Sequence, residues 1–156
     1  MSALKKYSSL LGFILVSALA GAVGVIFKPG AWYAVINKPS FTPPNWIFPV
    51  VWPILYLMMA VAAWIIWTKR GFDRGRLPLK WFAVQLALNA AWSWIFFGRH
   101  ALGTALAEIM LLWIAIVFTL LLFWKINRWA GGLMAPYLLW ISFALVLNFS
   151  IWHLNI

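Results

Sequence analysis

Residues 101–124 read ALGTALAEIMLLWIAIVFTLLLFW, an apolar run in which Glu108 is the single charged side chain. A membrane-spanning helix needs about 20 mostly apolar residues. Outward from this segment the chain carries further runs of the same kind, at Leu10–Phe27, Trp46–Trp67, Leu79–Phe97 and Trp129–Trp152. The sequence therefore predicts an all-α membrane protein.

The predicted fold is a five-transmembrane-helix bundle with a long proline-rich first loop. We expect helices near residues 8–27, 45–67, 79–97, 101–124 and 130–152, in a single domain that covers residues 1–156. The loop carries Pro29, Pro39, Pro43 and Pro44, which stiffen its backbone. Because it also carries Trp32 and Tyr33, we interpret it as a lid on the bundle; the alternative is a loop that only touches the membrane interface.

Composition excludes several classes of protein. The chain is 66% hydrophobic and 9% charged, which excludes a soluble globular enzyme and a disordered chain. The absence of cysteine excludes disulfides and thiolate metal sites. His100 and His153 lack a second ligand at metal spacing, so no metal site is expected. No motif for nucleophilic or metal-assisted hydrolysis occurs.

The basic residues are distributed unequally between the two ends of the predicted helices. One side carries Lys5, Lys6, Lys69, Arg70, Arg74, Arg76, Lys80, Lys125 and Arg128, and the other carries Lys28, Lys38 and Arg99. Because positive charge stays on the cytoplasmic side, we expect the N-terminus inside and the C-terminus outside. The same reasoning interprets Lys69–Lys80 as a topology signal, with no nucleic-acid partner.

Polar residues inside the predicted helices collect in the outer half of the bundle, on the side of the first loop. They face the interior or a cavity, because polar groups in lipid are costly. Helical spacing places them on faces shared with aromatic residues: Phe48, Trp52, Tyr56 and Met59; Gln85, Asn89 and Trp92; Tyr137, Trp140, Ala144 and Asn148. This pattern is typical of a small-molecule pocket, and a plain packed core is the open alternative.

Two further features have more than one interpretation. Ala83, Ala87 and Ala90 lie on the opposite face of the third helix, where small residues suit either a homodimer contact or packing within the bundle. Glu108 is the single acid within a predicted span. We favour a structural role for it over a proton relay, either as a neutral acid bonded to a neighbour or in a salt bridge with Arg99.

Several ordered motifs resemble the TspO/MBR family, the tryptophan-rich sensory proteins related to the mitochondrial translocator protein. Residues 37–49, NKPSFTPPNWIFP, resemble the family's first loop and second helix, together with Val51-Trp52 and Leu55-Tyr56. Residues 85–89, QLALN, with Trp92 and Phe96-Phe97-Gly98, resemble its third helix. Residues 129–131, WAG, and 136–140, PYLLW, followed by Phe143-Ala144 and Leu147-Asn148, resemble its fifth.

The resemblance implies five transmembrane helices, frequent dimerisation and a pocket under the first loop, in a bacterial cytoplasmic membrane. It implies non-covalent binding of porphyrins (protoporphyrin IX or a haem-related tetrapyrrole) and of isoquinoline carboxamides. Carried over by motif, Trp52 and Trp140 face the ligand, Asn89 is a polar contact, Ala144 a small wall residue, and Trp32 and Tyr33 the lid. With the faces derived above, the candidate ligand-binding set is Trp32, Tyr33, Trp52, Tyr56, Gln85, Asn89, Trp92, Tyr137, Trp140, Ala144 and Asn148.

These observations favour a membrane-embedded sensor or transporter of a tetrapyrrole. The alternative is a light-dependent porphyrin-degrading enzyme in which Trp52 and Trp140 are the redox-active, catalytic indoles. No acid–base pair supports ordinary catalysis, which favours binding over an enzyme. Cholesterol is not an expected partner, because Phe149 and His153 stand where the vertebrate members carry a Tyr and an Arg.

Overall fold

The computed structural model describes residues 3–156, with the exception of the side chains of residues 3–5, 72 and 73. Met1 and Ser2, which belong to the predicted domain, and the side chain of Lys5, which entered the charge comparison, therefore lie outside the described residues. The described part contains no strand. Its helices are α1 (Ala3–Ile26), α2 (Ala31–Val35), α3 (Ile47–Ser93), a π-helical segment (Trp94–Gly98), α4 (Leu102–Ile126) and α5 (Arg128–Leu154).

Four helical segments in the described chain are long and apolar enough to cross a membrane. They are Lys6–Ile26, Ile47–Gly71, Leu102–Ile126 and Arg128–Leu154. The molecule is therefore an all-helical integral membrane protein, as the composition indicated. The prediction of five helices was wrong, since six helical segments are present. The predicted third span is not among the four, because Lys80, Gln85 and Asn89 make that segment more polar.

Helix α3 consists of two helical halves that meet at a kink at Gly71, where the chain folds back on itself. The backbone of Gly71 has φ 63° and ψ −166°, a left-handed conformation that glycine adopts without the strain of a side chain. Beyond this point the chain returns along its own first half: Tyr56 contacts Asn89, and Met59 contacts Gln85. We call residues 47–70 α3N and residues 72–93 α3C; they form an antiparallel pair.

The segment predicted as a long first loop contains the short helix α2. Lys38 Nζ donates to the carbonyl oxygens of Tyr33 at 2.7 Å and Ile36 at 2.9 Å, and so satisfies acceptors that the end of a helix leaves free. Turn-like and extended backbone flanks the helix on both sides. A helix of five residues gives too short a pattern to detect in sequence, and this explains the missed element.

The hydrophobic core lies between α3, α4 and α5. Its largest fully buried side chains include Met59, Ile66, Ile116, Phe123 and Met134. Helix α1 is attached to the outside of this core, where Phe13 meets Phe82 edge-on with ring centroids 6.2 Å apart. Only 6% of the apolar window of α1 is buried, against 44% for α4. Helix α1 is therefore the most weakly packed wall of the bundle.

Candidate functional site

A cavity of about 970 Å³ lies between α1, both halves of α3, the π-helical segment and α5. Its size is at the upper end of the range for small-molecule pockets, about 300–1,000 Å³. Most of its wall is apolar and aromatic. The lining includes Gly21, Lys28, Tyr33, Asn45, Phe48, Trp52, Tyr56, Trp92, Ser93, Phe96, Phe97, Trp140, Ala144, Leu147, Asn148 and Ile151.

Seven residues of the predicted ligand-binding set line this cavity. They are Tyr33, Trp52, Tyr56, Trp92, Trp140, Ala144 and Asn148. They come from four elements far apart in sequence, so the cavity exists only in the folded bundle. Trp32, Gln85, Asn89 and Tyr137 do not line it and lie behind or beside it.

The indoles of α3N and α5 form the aromatic wall. Trp52 stacks on Tyr56 with centroids 5.4 Å apart and meets Tyr137 edge-on at 6.3 Å. On the α5 side, Trp140 meets Phe48 edge-on at 5.9 Å. Both indoles are only half-buried, because one face of each borders the cavity. This arrangement can stack a flat aromatic ligand between ring surfaces.

Close packing of α1 brings Tyr56 to the cavity wall. A Cβ atom added at Gly21 would lie 2.6 Å from Tyr56 Cε2, so only a glycine allows the ring to sit there. At Gly24 the same added atom would lie 3.4 Å from Ser93 Oγ. Gly21 and Gly24 therefore allow α1 to pack closely against α3, and both also line the cavity.

Asn89 lies behind the wall and holds two phenols in place. Its Oδ1 accepts a hydrogen bond from the Tyr56 hydroxyl, and its Nδ2 donates to the Tyr137 hydroxyl oxygen at 3.0 Å. Asn89 and Tyr137 are buried. Gln85, one turn deeper, donates to Met59 Sδ at 3.8 Å. Asn89 therefore positions Tyr56 of the aromatic lining without itself lying at the cavity surface, while Gln85 bonds the core residue Met59.

A second amide, Asn148, links the cavity wall to the start of α4. Its Oδ1 accepts from Trp92 Nε1 at 3.0 Å, and its Nδ2 donates to the Leu102 carbonyl oxygen at 3.2 Å. Trp92 also stacks on Phe96 with centroids 4.9 Å apart. Because each polar atom is occupied, Trp92 and Asn148 offer the cavity a fixed and largely apolar surface.

The two lid candidates occupy different positions. The Tyr33 ring is buried against Phe97, 5.4 Å between centroids, and lines the cavity. Burial raises the pKa of Tyr33, so its hydroxyl keeps its proton at neutral pH. Trp32 instead stacks on His100 at 4.1 Å, outside the cavity. It anchors α2 to the chain that follows the π-helical segment.

The segment between residues 27 and 46 is also tied to the end of α5. Asn37 N donates to Asn155 Oδ1 at 3.0 Å, and Asn155 Nδ2 donates back to the Asn37 carbonyl oxygen at 2.8 Å. Asn37 Nδ2 adds a bond to the Leu154 carbonyl oxygen at 3.2 Å. We call this pair the Asn37–Asn155 clasp.

Sequence reasoning left Lys28, Asn45, Phe96 and Phe97 out of the candidate set, although all four line the cavity. Phe96 and Phe97 lie in the π-helical segment, where the residues per turn change and helical spacing no longer predicts a face. Lys28 and Asn45 lie outside the long helices, where no periodicity exists. The one available signal was their position at the ends of apolar runs.

Glu108 is buried on α4. Neither carboxyl oxygen has a hydrogen-bond partner among the described residues. The expected salt bridge with Arg99 is absent from that part of the chain, and the Arg99 guanidinium instead lies 5.4 Å from the Trp94 ring centroid. Both structural explanations of Glu108 offered by the sequence were therefore wrong.

The predicted dimer residues lie on the outer surface of α3C. Ala83 and Ala87 are exposed and Ala90 is half-buried, so the face is open to another molecule. The homodimer stays a prediction. Photo-oxidative chemistry at Trp52 and Trp140 also stays a prediction.

Comparison with known proteins identifies the family. Residues 13–153 match the model of the TspO/MBR family. The chain is 44% identical to Protein CrtK of Rhodobacter capsulatus over 92% of this chain and 90% of that protein. It is 37% identical to the tryptophan-rich sensory protein of Cereibacter sphaeroides (93% and 90%) and 36% identical to the human translocator protein (93% and 89%). The resemblance seen in the motifs is confirmed, and the chain belongs to the TspO/MBR family.

Proposed function

We propose that the protein binds a flat tetrapyrrole, protoporphyrin IX or a haem-related compound, non-covalently within the membrane and acts as its sensor or transporter. The observation that carries this proposal is the cavity of about 970 Å³ walled by Trp52, Trp92 and Trp140. Ring surfaces around an apolar space suit a rigid macrocycle. The names of the relatives, a sensory protein and a translocator, support the same class of function. Neutral isoquinoline carboxamides fit the same lining.

The proposal includes a five-span arrangement with a proline-rich cover. Helix α3C runs antiparallel to α3N through the pairs Tyr56–Asn89 and Met59–Gln85, which supports a further crossing between the two. Its polar residues face the bundle, where amides are tolerated in a membrane. The first loop, with Tyr33 on the cavity, is the cover. The N-terminus lies on the inner side and the C-terminus on the outer side of a bacterial cytoplasmic membrane. Residues 1–156 form a single domain, and the protein forms a homodimer.

The experiment is a titration of the purified protein with protoporphyrin IX in non-ionic detergent, followed by porphyrin absorbance. Ala144→Phe places a ring inside the cavity and Trp140→Ala removes one stacking surface. We expect each to weaken binding by about tenfold, or ~1.4 kcal/mol. Trp129→Ala is the matched control, because Trp129 is 81% exposed and does not line the cavity.

Equal affinity in all four proteins would contradict the proposed site. Binding lost equally in the Trp129→Ala control would indicate general damage to the fold instead of a local effect. Flux of bound porphyrin across sealed liposomes then separates a transporter from a sensor, because a sensor binds the ligand without releasing it on the other side.

A further inference from the structure

Lys28 is the single cationic side chain among the described residues that line the cavity. It follows α1, which ends at Ile26, and its side chain is exposed. Nearly all the rest of the lining is apolar, aromatic or amide. The cavity therefore has one charged point, at its edge.

The other cations on the proposed outer side are already engaged within the protein. Lys38 Nζ donates to carbonyl oxygens of Tyr33 and Ile36, at 2.7 and 2.9 Å. Arg99 lies over the Trp94 ring at 5.4 Å. Lys28 has no hydrogen-bond or ion-pair partner among the described residues. An ammonium group beside an apolar cavity is thus left available to a ligand.

Two further hydrogen-bond donors line the same cavity as Lys28. The Tyr33 hydroxyl retains its proton, and Asn45 carries an amide. Pro29, Tyr33 and Asn45 also line a neighbouring space of about 430 Å³ formed by first-loop residues, which places this end of the cavity under the loop. The cavity is therefore apolar in its body and rich in donors at its loop end.

We infer that the ligand carries a carboxylate that pairs with Lys28 at the loop end, while its flat apolar body lies among Trp52, Trp92 and Trp140. This inference rests on the proposed function and narrows it to amphipathic, acidic macrocycles. A carboxylate carries a negative charge and two acceptor oxygens. It can therefore pair with Lys28 and also accept hydrogen bonds from the other donors at the loop end of the cavity. A neutral ligand of the same shape gains nothing from Lys28.

An anionic oxygen near Lys28 has a second source, the phosphate of a lipid headgroup. The test therefore compares protoporphyrin IX with its dimethyl ester, which has the same macrocycle but no ionisable carboxyl group, in lipid-free non-ionic detergent. Each is titrated into the wild-type protein and into Lys28→Gln and Lys28→Glu variants, at low and high salt. Lys69→Gln is the matched control, since Lys69 is exposed and does not line the cavity.

For the diacid we expect Lys28→Gln to weaken binding by about two- to fivefold, the size of a partly exposed ion pair. Lys28→Glu should weaken it further, because it replaces attraction by repulsion. Salt should weaken diacid binding to the wild type and have less effect in Lys28→Gln. The dimethyl ester should bind all four proteins equally.

Diacid affinity that is unchanged in both Lys28 variants, or that falls equally in Lys69→Gln, overturns the inference and leaves the proposed function standing. Equal losses for diacid and ester also overturn it, since they indicate a change in shape instead of charge. A wild-type protein that binds neither probe overturns the proposed function and this inference together.

Discussion

At the scale of single residues, one amide determines the position of the cavity's aromatic wall. Asn89 accepts from the Tyr56 hydroxyl and donates to the Tyr137 hydroxyl oxygen. Tyr56 in turn stacks on Trp52. Because Asn89 and Tyr137 are buried, their hydrogen bond is not exchanged for one to solvent, and the rings depend on the amide for their orientation.

Replacing Asn89 by leucine should destabilise the protein and weaken ligand binding. The substitution leaves the Tyr56 and Tyr137 hydroxyls without partners, at about 1–3 kcal/mol for each buried group. Thermal unfolding in detergent, followed by circular dichroism, measures the effect. The comparison is Tyr56→Phe, which removes one of the two hydrogen bonds and should cost less. A smaller loss for Asn89→Leu than for Tyr56→Phe would contradict this account.

Residue types and helical spacing were enough to identify the cavity-facing indoles, because each lies on a regular helix. Trp52 and Trp140 were predicted in this way, and both line the cavity. Spacing also placed Asn89 on the correct face of its helix. It could not show that Tyr56, from another helix, lies between Asn89 and the cavity. Whether a residue lies at the cavity surface or behind another side chain depends on how the helices pack together. The spacing of residues along one helix carries no information about that packing.

At the scale of elements, α1 and α3 determine how much space the cavity has. Helix α1 has little buried surface of its own and approaches α3N closely at Gly21. Helix α3 reverses direction at Gly71. The sequence indicated the two apolar runs on either side of Gly71, and the structure joins them by a kink at that residue, with helical residues on both sides.

Gly21→Ala should destabilise the protein, while Gly12→Ala on the same helix should not. The new methyl group at position 21 would lie 2.6 Å from Tyr56 Cε2 and force the ring away from Asn89. We expect a loss of about 1–3 kcal/mol, as for overpacked cores. At position 12 an added Cβ has no neighbour within 4 Å, so alanine should stabilise the helix by about 0.5–1 kcal/mol.

The two variants are compared by thermal unfolding and by porphyrin titration under the same conditions. Only Gly21→Ala should also lower ligand affinity, because Tyr56 lines the cavity. Equal shifts in both measurements would mean that α1 contributes through its own helix propensity and not through its contact with Tyr56.

At the scale of the whole molecule, the proposed membrane orientation accounts for the net charge of +10. The basic residues concentrate on the N-terminal side of the bundle, and the opposite side keeps Lys28, Lys38 and Arg99. Helix α3C was missing from the four apolar spans, yet it carries the amides that support the cavity. Composition therefore predicts that the protein lies in a membrane. It detects α3C least well, because the amides that support the cavity make this helix more polar than the others.

Membrane orientation can be tested directly, because the natural chain has no cysteine. Ile156→Cys, at a position 83% exposed, should react with a membrane-impermeant maleimide added to intact cells. Lys69→Cys, also exposed, should react only after the membrane is permeabilised. The reverse pattern would place the N-terminus outside and the cavity at the cytoplasmic surface.

The Asn37–Asn155 clasp has a consequence for biosynthesis. Asn37 and Asn155 are 118 residues apart, and the Asn155 side chain bonds both the backbone N–H and the carbonyl oxygen of Asn37. The contact between the first loop and the end of α5 can therefore form only after α5 has been synthesised. Enclosure of the proposed tetrapyrrole beneath the first loop therefore follows the insertion of α5 into the membrane.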